Sequence, residues 1–338
     1  MTELILDRTK PKPVDPKNLD AEQLRVVAHR VGAMRVLAGP GTGKTTTLVA
    51  AMAERLTGDA KLQPDQVLGL TFGRRAALDW RGRVTLAVGG GLIPQISTFH
   101  SFCYGLLRKY EPAIAAEVGI RLLSGPEQQV RVRELFLGAL ADGAIALPAE
   151  YAQAQNTSGL IEEIRAVMSR TRSHLMEPTE LERLGQSAGR PMWEIIGQFL
   201  ETYLASIESE QALDYAEVIY RATALLRNND EIAHQVQNQY RAIFVDEYQD
   251  TDPGQVELLK LLVNAETTLI VVGDVDQAIY GFRGADEKGI GKFKDDFADI
   301  YGSKIDDDVA LKNCWRFGAN IRNAATAIIK KNIPAGFA

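Results

Sequence analysis

Residues 38–45 read AGPGTGKT, and this glycine-rich stretch decides the fold class of the chain. The apolar residues 34–38 before it have the pattern of a short strand, and residues 45–56 after it have that of a helix. In a glycine-rich loop that joins a strand to a helix, backbone N–H groups and the helix dipole point at a bound anion. The stretch therefore predicts a phosphate loop, in which Lys44 reaches the β- and γ-phosphates and the Thr45 hydroxyl binds Mg²⁺. The predicted nucleotide-binding residues of the loop are Gly39, Gly41, Thr42, Gly43, Lys44, Thr45 and Thr46.

Strand and helix patterns alternate around this loop. After the first strand and helix come a strand at residues 66–72, a helix at 76–84 and a strand at 95–98. Two further apolar strands follow late in the chain, at 242–245 and 268–272. Strands separated by helices form parallel sheets that are covered on both faces, so the pattern predicts an α/β fold with a parallel sheet.

The middle of the chain has a different pattern. Between about residues 110 and 209 we find amphipathic helices and no convincing strand. Ser124 and Glu127 form a capping box that begins one helix, and apolar residues from Met192 to Ile207 recur at helical spacing in another. The sequence therefore predicts that an all-helical subdomain interrupts the α/β domain.

Composition and charge exclude several classes of protein. The chain has no apolar stretch long enough to span a membrane and no signal peptide, which favours a cytoplasmic protein. Its two cysteines have neither metal-ligand spacing nor a disulfide pattern. The net charge is −6, so nucleic-acid binding requires a local basic patch. The cluster of Arg74, Arg75, Arg81 and Arg83 is the candidate, although such a cluster is more often a solvated surface.

An acidic motif ends the predicted strand at 242–245, because residues 246–250 read DEYQD. Alone, two adjacent carboxylates at a strand end are more often a solvated turn. In a chain with a phosphate loop they suit nucleotide hydrolysis, in which Asp246 holds Mg²⁺ and Glu247 accepts a proton from the attacking water. The sequence thus predicts a nucleotide and Mg²⁺ at this site; the resemblance described below implies that the nucleotide is ATP.

A third motif follows the next strand, where residues 272–285 read VGDVDQAIYGFRGA. In a doubly wound sheet its Gln277 lies beside the γ-phosphate, where a neutral amide can orient water. Tyr280, Phe282 and Arg283 could stack on bases and pair with phosphate. The alternative is a strand followed by a loop with two core aromatics.

In this order, the three motifs resemble those of superfamily 1 DNA helicases of the UvrD/Rep/PcrA type. Shorter stretches carry the same resemblance: LDAEQ at 19–23, LTFGRRAA at 70–77, TFHSF at 98–102, LDYAEVI at 213–219 and LKNCWR at 311–316. The resemblance covers roughly residues 19–107 and 211–330. The predicted helical subdomain lies where this family has its accessory 1B subdomain.

The resemblance implies a domain organisation. Residues 1–18 are expected to be a flexible leader, and 19–107 with 211–302 a RecA-like P-loop motor domain 1A. Residues 108–210 would be the helical insert 1B, and 303–338 the start of a truncated motor domain 2A.

The resemblance also implies roles for individual residues. Gln23 would read the adenine edge, Trp315 would stack on the adenine, and Arg316 would reach the γ-phosphate. The catalytic set would be Lys44, Glu247, Gln277 and Arg316. The single-stranded DNA track would comprise Phe72, Arg74, Arg75, Thr98, His100, Tyr280, Phe282 and Arg283.

Three motifs depart from the family pattern. The phosphate loop begins with Ala38 where glycine is usual, and Arg74 and Arg75 stand where Asn and Lys are common. That second change adds a cation, so the track would hold phosphate more strongly. The fourth motif, usually NYRS, has a Cys-Trp-Arg-Phe sequence at residues 314–317. The stretches VLAGPGTGKTTTLV at 36–49 and LLSGPEQ at 122–128 also resemble actinobacterial helicase–nuclease subunits related to RecB and the Adn proteins.

The function implied is an ATP-dependent translocase or helicase for DNA repair or recombination. Its partners would be single-stranded DNA or a single-strand/duplex junction, and a helicase–nuclease partner subunit is conceivable; the protein would be cytoplasmic and associated with the nucleoid. Counterparts of the fifth and sixth family motifs are not recognised after Arg316. We therefore expect slow turnover and no strand separation, because an arginine finger contributes about 10³–10⁵ in rate. The alternatives are a non-catalytic nucleic-acid or partner-binding module and an unrelated P-loop ATPase.

Overall fold

The computed structural model describes residues 18–59, 61–91, 93–111, 121–279, 281, 285–286, 289–318, 320–321, 323–324 and 327. The expected leader therefore lies almost wholly outside the described residues. So does most of a helix that the sequence predicts at 319–331. No helix in the described part of the chain has the length and apolar character needed to cross a membrane.

Six parallel strands form the main sheet, in the order β3-β2-β6-β7-β1-β8. A second, two-stranded parallel sheet pairs β4 with β5. The strands are β1 (Ala33–Ala38), β2 (Val67–Thr71), β3 (Gln95–Thr98), β4 (Arg121–Leu122), β5 (Ala212–Leu213), β6 (Ala242–Val245), β7 (Thr268–Gly273) and β8 (Val309–Leu311). The predicted α/β class with a parallel sheet is confirmed.

Helices connect these strands and form the layers around them. Before the insert they are α1 (Ala21–Ala28), α2 (Lys44–Thr57), α3 (Arg74–Ala87) and α4 (Phe99–Tyr110). The insert contains α5 (Gly125–Ala141), α6 (Ser158–Ser173), α7 (Pro178–Ser187) and α8 (Pro191–Ser209). After it come α9 (Tyr215–Asn228), α10 (Asp230–Gln239), α11 (Pro253–Leu262) and α12 (Gly289–Tyr301).

Alternate residues of each central strand pack into different cores. In β6, Ile243 and Val245 face a core that includes residues of α4, α9, α11 and α12. Ala242 and Phe244 face the opposite core, which α2 and α3 cover. Because successive side chains of a strand point to opposite faces, a strand buried on both faces is apolar throughout, as β6 is.

The insert has a third core, in which α5, α6 and α8 pack around residues such as Phe136, Phe199 and Tyr203. It is helical as predicted, apart from β4, a strand in a region where the sequence analysis found none. Two residues are too few to show a period, and β4 exists because it pairs with β5 about ninety residues later.

The sequence analysis also missed β5, the two-residue partner of β4, and the strand β8. β8 has only three residues, yet it pairs in parallel with β1 and ends the main sheet. It lies within 303–338, the segment expected to begin a second motor domain, so the main sheet extends past residue 302. The remaining domain limits stay predictions.

A buried ion pair joins the insert to α9. Arg172, near the end of α6, donates through Nε to Glu217 of α9 at 2.9 Å and through Nη2 at 3.2 Å. The side chains are 5% and 9% exposed, so both charges lie away from water. The Arg172 guanidinium also stacks on Tyr220 at 3.1 Å.

Candidate active site

The three predicted chemical motifs meet at one edge of the main sheet. The phosphate loop follows β1, the DEYQD segment follows β6, and the Gln277 segment follows β7. In the sheet β7 lies between β6 and β1, and all three strands are parallel. Their carboxyl ends therefore bring together segments that lie far apart in the chain, and ligands of α/β sheets bind at such edges.

The phosphate loop adopts the backbone that its glycines permit. Gly41 has φ +76° and Gly43, the N-cap of α2, has φ +93°. A Cβ at Gly41 would lie 2.7 Å from the Cβ of Arg316, and one at Gly43 would lie 2.7 Å from Gln23 Nε2. Both positions thus require glycine for conformation and for space. Lys44, Thr45 and Thr46 form the first turn of α2, where N–H groups are free for phosphate.

An ion pair connects the phosphate loop to the acidic motif. Lys44 Nζ lies 3.0 Å from Glu247 Oε2, although the two residues are 203 positions apart. The Lys44 side chain is only 12% exposed, so the ammonium is held beside the carboxylate in a partly desolvated site. A nucleotide bound at the loop would compete for Lys44 through its phosphate oxygens.

Asp246 lies at the end of β6 and is 6% exposed. Burial and the neighbouring Glu247 raise the pKa of Asp246 to about 7, against the effect of Lys44. A buried carboxylate of this kind suits a divalent cation, because the cation stabilises the ionised form of the carboxylate that burial disfavours. Within the described ranges, no cluster of three or more His, Cys, Asp or Glu residues could hold a metal. Mg²⁺ in nucleotide sites needs only one or two protein ligands besides phosphate, so Asp246 and Thr45 fit that mode.

Glu247 has the left-handed backbone conformation, with φ +53°. This conformation is uncommon for a residue with a Cβ and is found mainly where the surroundings enforce it. It turns the chain sharply after β6, and the short 3₁₀ helix Tyr248–Asp250 follows.

Two residues without an assigned role in the sequence analysis, Gln249 and Asp274, belong to the site. Gln249 donates to Glu247 Oε2 at 2.8 Å and accepts from the backbone N–H of Asp274 at 3.0 Å. The Asp274 carboxylate in turn accepts from the Gln277 side chain. Both residues lie inside the quoted motifs, which was the signal available in the sequence. Their partners are set by the pairing of two strands, β6 and β7.

The residues predicted to hold adenine lie beside the phosphate loop. Trp315 donates its backbone N–H to Gly41 O at 2.8 Å, and its side chain is 62% exposed, so a ring face is accessible for stacking. Gln23 is buried, with both ends of its amide in use. Its Oε1 accepts from the Asp20 N–H at 3.1 Å and its Nε2 donates to Thr42 O at 3.4 Å. Each bond uses one of the two donor or acceptor positions at its end of the amide, so one N–H and one lone pair are not used by these two bonds.

Four of the residues predicted to contact DNA line one cavity of about 310 Å³ near the ends of β2 and β3. They are Phe72, Arg74, Thr98 and His100. Tyr104 and Tyr215, which the sequence analysis did not select, line it too. Arg75 lies exposed beside Arg74 in the first turn of α3. The other three predicted residues, Tyr280, Phe282 and Arg283, lie outside the described residues.

The imidazole of His100 is neutral at physiological pH. Burial, reinforced by Arg74, lowers the pKa of His100 to about 4. The ring packs edge-on against Tyr215, with centroids 5.4 Å apart. His100 can therefore contribute stacking or a neutral hydrogen bond in this cavity, but no ion pair with phosphate.

This shift predicts an acid dependence of stability. The pKa of His100 is lower in the folded protein than its ordinary value, so below about pH 6.5 the unfolded chain binds the proton first and folding loses free energy. We expect His100→Gln to reduce the pH slope of the unfolding free energy between pH 6.5 and 4, by at most about 1.4 kcal/mol per pH unit. Urea titrations across this range measure the slope. An unchanged slope would show that His100 is protonated in the folded state.

Comparison with known proteins gives a consistent result. Residues 19–298 match the family model described as UvrD/REP helicase N-terminal domain. The chain is 29% identical over 317 residues to a protein of Staphylococcus epidermidis named ATP-dependent DNA helicase PcrA. It is 28% identical over 316 residues to proteins of the same name from Staphylococcus aureus.

These alignments cover most of this chain but less than half of each relative. They include 94% and 93% of the chain, and 40% of the relative in both cases. The chain thus spans about two fifths of the length of the curated relatives that it matches. The family model itself covers most of the chain and includes the phosphate loop, the DEYQD segment and Gln277. By its sequence, this chain belongs to the UvrD/REP helicase family, of which it contains the N-terminal domain.

Proposed function

We propose that this chain is the ATP-binding part of a motor that moves along single-stranded DNA at the expense of ATP, and that it serves DNA repair or recombination. The observation that carries this proposal is the ion pair between Lys44 and Glu247 at 3.0 Å. It places a phosphate-binding cation and a carboxylate base next to each other at the carboxyl edge of the sheet. Family membership makes ATP the expected nucleotide.

The geometry supports a sequence of events at this edge. ATP phosphates bind the N–H groups of the loop and draw Lys44 away from Glu247. The Glu247 carboxylate then becomes available to accept a proton from the water that attacks the γ-phosphate. Mg²⁺, held by Thr45 and Asp246, would neutralise charge on the β- and γ-phosphates. Gln277 and Arg316 would lie near the γ-phosphate, the first orienting water and the second stabilising charge.

The proposed DNA track runs beside the nucleotide site. The strand β2 lies between β3 and β6 in the sheet, so the cavity at the ends of β2 and β3 adjoins the segment that carries Glu247. Aromatic walls suit stacked bases and the cations Arg74 and Arg75 suit phosphates, a combination that holds single strands with little sequence preference. A junction between single-stranded and duplex DNA is the substrate that we propose for the whole motor.

Slow turnover of these 338 residues alone, a helicase–nuclease partner subunit and a location at the nucleoid remain part of the proposal. The test therefore measures steps that do not need fast cycling. We expect the chain to bind a fluorescent ATP analogue in the presence of Mg²⁺ and, independently, a labelled oligothymidylate. A chain that binds DNA but shows no hydrolysis under single-turnover conditions would be a non-catalytic binding module. A chain that binds neither would contradict the proposal.

The basic residues of α3 make a salt-dependent prediction. We expect Arg75→Gln to weaken oligothymidylate binding and to reduce the slope of log K against log salt by about 0.7, the value for one phosphate contact on a single strand. ATP affinity should not change, because Arg75 lies on α3, away from the loop. The matched control is Arg83→Gln on the same helix, whose charge is already paired with Asp79 at 2.9 Å. Equal effects of the two substitutions would show that α3 is not part of the track.

A further inference from the structure

Gln249, the fourth residue of the DEYQD segment, is buried between the base and the γ-phosphate-sensing segment. Gln249 is only 2% exposed and lies in the 3₁₀ turn that follows Glu247. A Cβ added to Gly273, at the end of β7, would lie 2.6 Å from Gln249 Oε1 and 3.2 Å from its backbone nitrogen. Gln249 therefore occupies the space that a side chain at position 273 would need, and this close packing fixes the position of its amide.

The two ends of the amide bind different elements. Nε2 donates to Glu247 Oε2 at 2.8 Å, and Oε1 accepts from the Asp274 N–H at 3.0 Å. A carboxylate only accepts and a backbone N–H only donates, so these partners determine which end of the amide is nitrogen. Gln249 therefore links Glu247, the second residue after β6, to Asp274, the first residue after β7.

At the Glu247 end, Gln249 shares one carboxylate oxygen with Lys44. In the described part of the chain, these two side chains are the ones that hydrogen-bond the Glu247 carboxylate. Lys44 is the partner that a nucleotide would draw away. The hydrogen bonds of Gln249 go to Glu247 and to the Asp274 N–H, not to the phosphate loop. Gln249 would therefore keep Glu247 in position when Lys44 has left.

At the other end, Gln249 anchors the turn that carries Gln277. The Asp274 carboxylate accepts from the Asp276 N–H at 3.1 Å and from the Gln277 side chain. The backbone N–H of Gln277 donates to Asp274 O at 3.1 Å. The position of Gln277 therefore follows that of Asp274, and the position of Asp274 follows that of Gln249.

We propose that Gln249 is a positioning residue for hydrolysis, which sets the distance between the base Glu247 and the sensor Gln277. This inference rests on the proposed function, since it needs Glu247 to act as base. In this role the buried amide of Gln249 connects two motifs that follow different strands, β6 and β7. Binding of ATP does not depend on it, because Gln249 contacts neither the phosphate loop nor Trp315 by any described hydrogen bond.

The test compares two substitutions of Gln249 in the full 338-residue chain. Gln249→Met keeps the length of the side chain and removes both hydrogen bonds. We expect it to lower the single-turnover hydrolysis rate constant by about 10–100-fold, the usual effect of removing a group that orients a reacting one. The Kd for the ATP analogue should stay within about threefold of the parent value. This split between rate and affinity is not expected from a general loss of structure.

Gln249→Glu separates the two ends of the amide. It keeps an acceptor for the Asp274 N–H but places a second carboxylate against Glu247. We expect a loss of rate at least as large as that of Gln249→Met. A parent-like rate in the Glu variant would show that the bond to Glu247 is dispensable and would overturn the two-ended role.

The control is Gln128→Met, at another buried glutamine whose amide donates to a carboxylate, that of Asp214 at 2.8 Å. It lies in the insert, so we expect it to leave the hydrolysis rate constant unchanged. If it slows hydrolysis as much as Gln249→Met, the effect is a general one of packing and the inference is wrong. Glu247→Gln distinguishes the two levels of the argument. If that variant is also unaffected, the proposed function fails; if it is slow and Gln249→Met is not, only this inference fails.

Discussion

Glu247→Gln is expected to slow ATP hydrolysis by about 10²–10⁴-fold, the range contributed by a general base. The amide has nearly the shape of the carboxylate but cannot accept a proton from the attacking water. Hydrolysis is best measured in a single turnover, with the chain in excess over radiolabelled ATP, because slow cycling then does not hide the chemical step.

The same substitution should not weaken ATP binding. Lys44 loses its carboxylate partner in the variant, so its ammonium is more available to the phosphates and the Kd for ATP should be equal or lower. Glu257→Gln, at a surface glutamate paired with Arg227 and Lys260, is the control for loss of a negative charge. Hydrolysis at the parent rate in the Glu247 variant would remove Glu247 from the role of base. A large rise in Kd would instead show that the pair with Lys44 supports the loop itself.

The second large effect is expected at the junction between the insert and the motor domain. Arg172→Met should lower the free energy of unfolding by about 3–5 kcal/mol at pH 8, because it leaves Glu217 buried without its counter-ion. It also removes the hydrogen bond to Met176 O and the stacking on Tyr220. Urea unfolding monitored by circular dichroism gives the change.

The loss of unfolding free energy caused by Arg172→Met should be smaller at acid pH. Burial raises the pKa of Glu217 to about 7, against the effect of Arg172. The folded state therefore holds a proton that the unfolded state releases from about pH 4.5 upward, and stability contributed at this residue falls as the pH rises through that window. Without Arg172 the pKa of Glu217 rises further, so Arg172→Met should cost less at pH 5, where Glu217 becomes neutral, than at pH 8.

A double substitution tests whether the cost comes from the unpaired charge. Arg172→Met combined with Glu217→Leu replaces the pair with apolar side chains, a change that is often neutral in buried pairs. We expect it to recover most of the stability that Arg172→Met loses. If the double variant is less stable than the single one, Glu217 stabilises the junction through contacts other than Arg172.

Much of the architecture could be predicted from local pattern. The limits of β3 and β6 are the predicted ones, β1 and β7 differ from prediction by one residue at one end, and β2 is one residue shorter at each end. Long apolar runs with glycine-rich loops behind them carry this information, because period and turn chemistry are local properties. The strands that were missed, β4, β5 and β8, have two, two and three residues. They become strands only through a partner far along the chain.

The candidate site divides in the same way. Lys44, Asp246, Glu247 and Gln277 could be selected because each stands at a characteristic position in a motif. The hydrogen-bond partners and the protonation state of each side chain could not be predicted from the motifs. The roles proposed for Gln23 and His100 stay predictions. The structure adds that the Gln23 amide bonds Asp20 N–H and Thr42 O. It also adds that burial lowers the pKa of His100 to about 4.

The sequence by itself determined that this protein has a phosphate loop, an acidic strand end and a parallel sheet, because those features depend on residues next to one another. Only the tertiary structure decided that Lys44 meets Glu247 and that Gln249 bonds both Glu247 and the Asp274 N–H. Such contacts depend on the order of strands in the sheet. Burial then fixes the charges, since removing a carboxylate or an imidazole from water shifts its pKa by an amount that no local motif encodes.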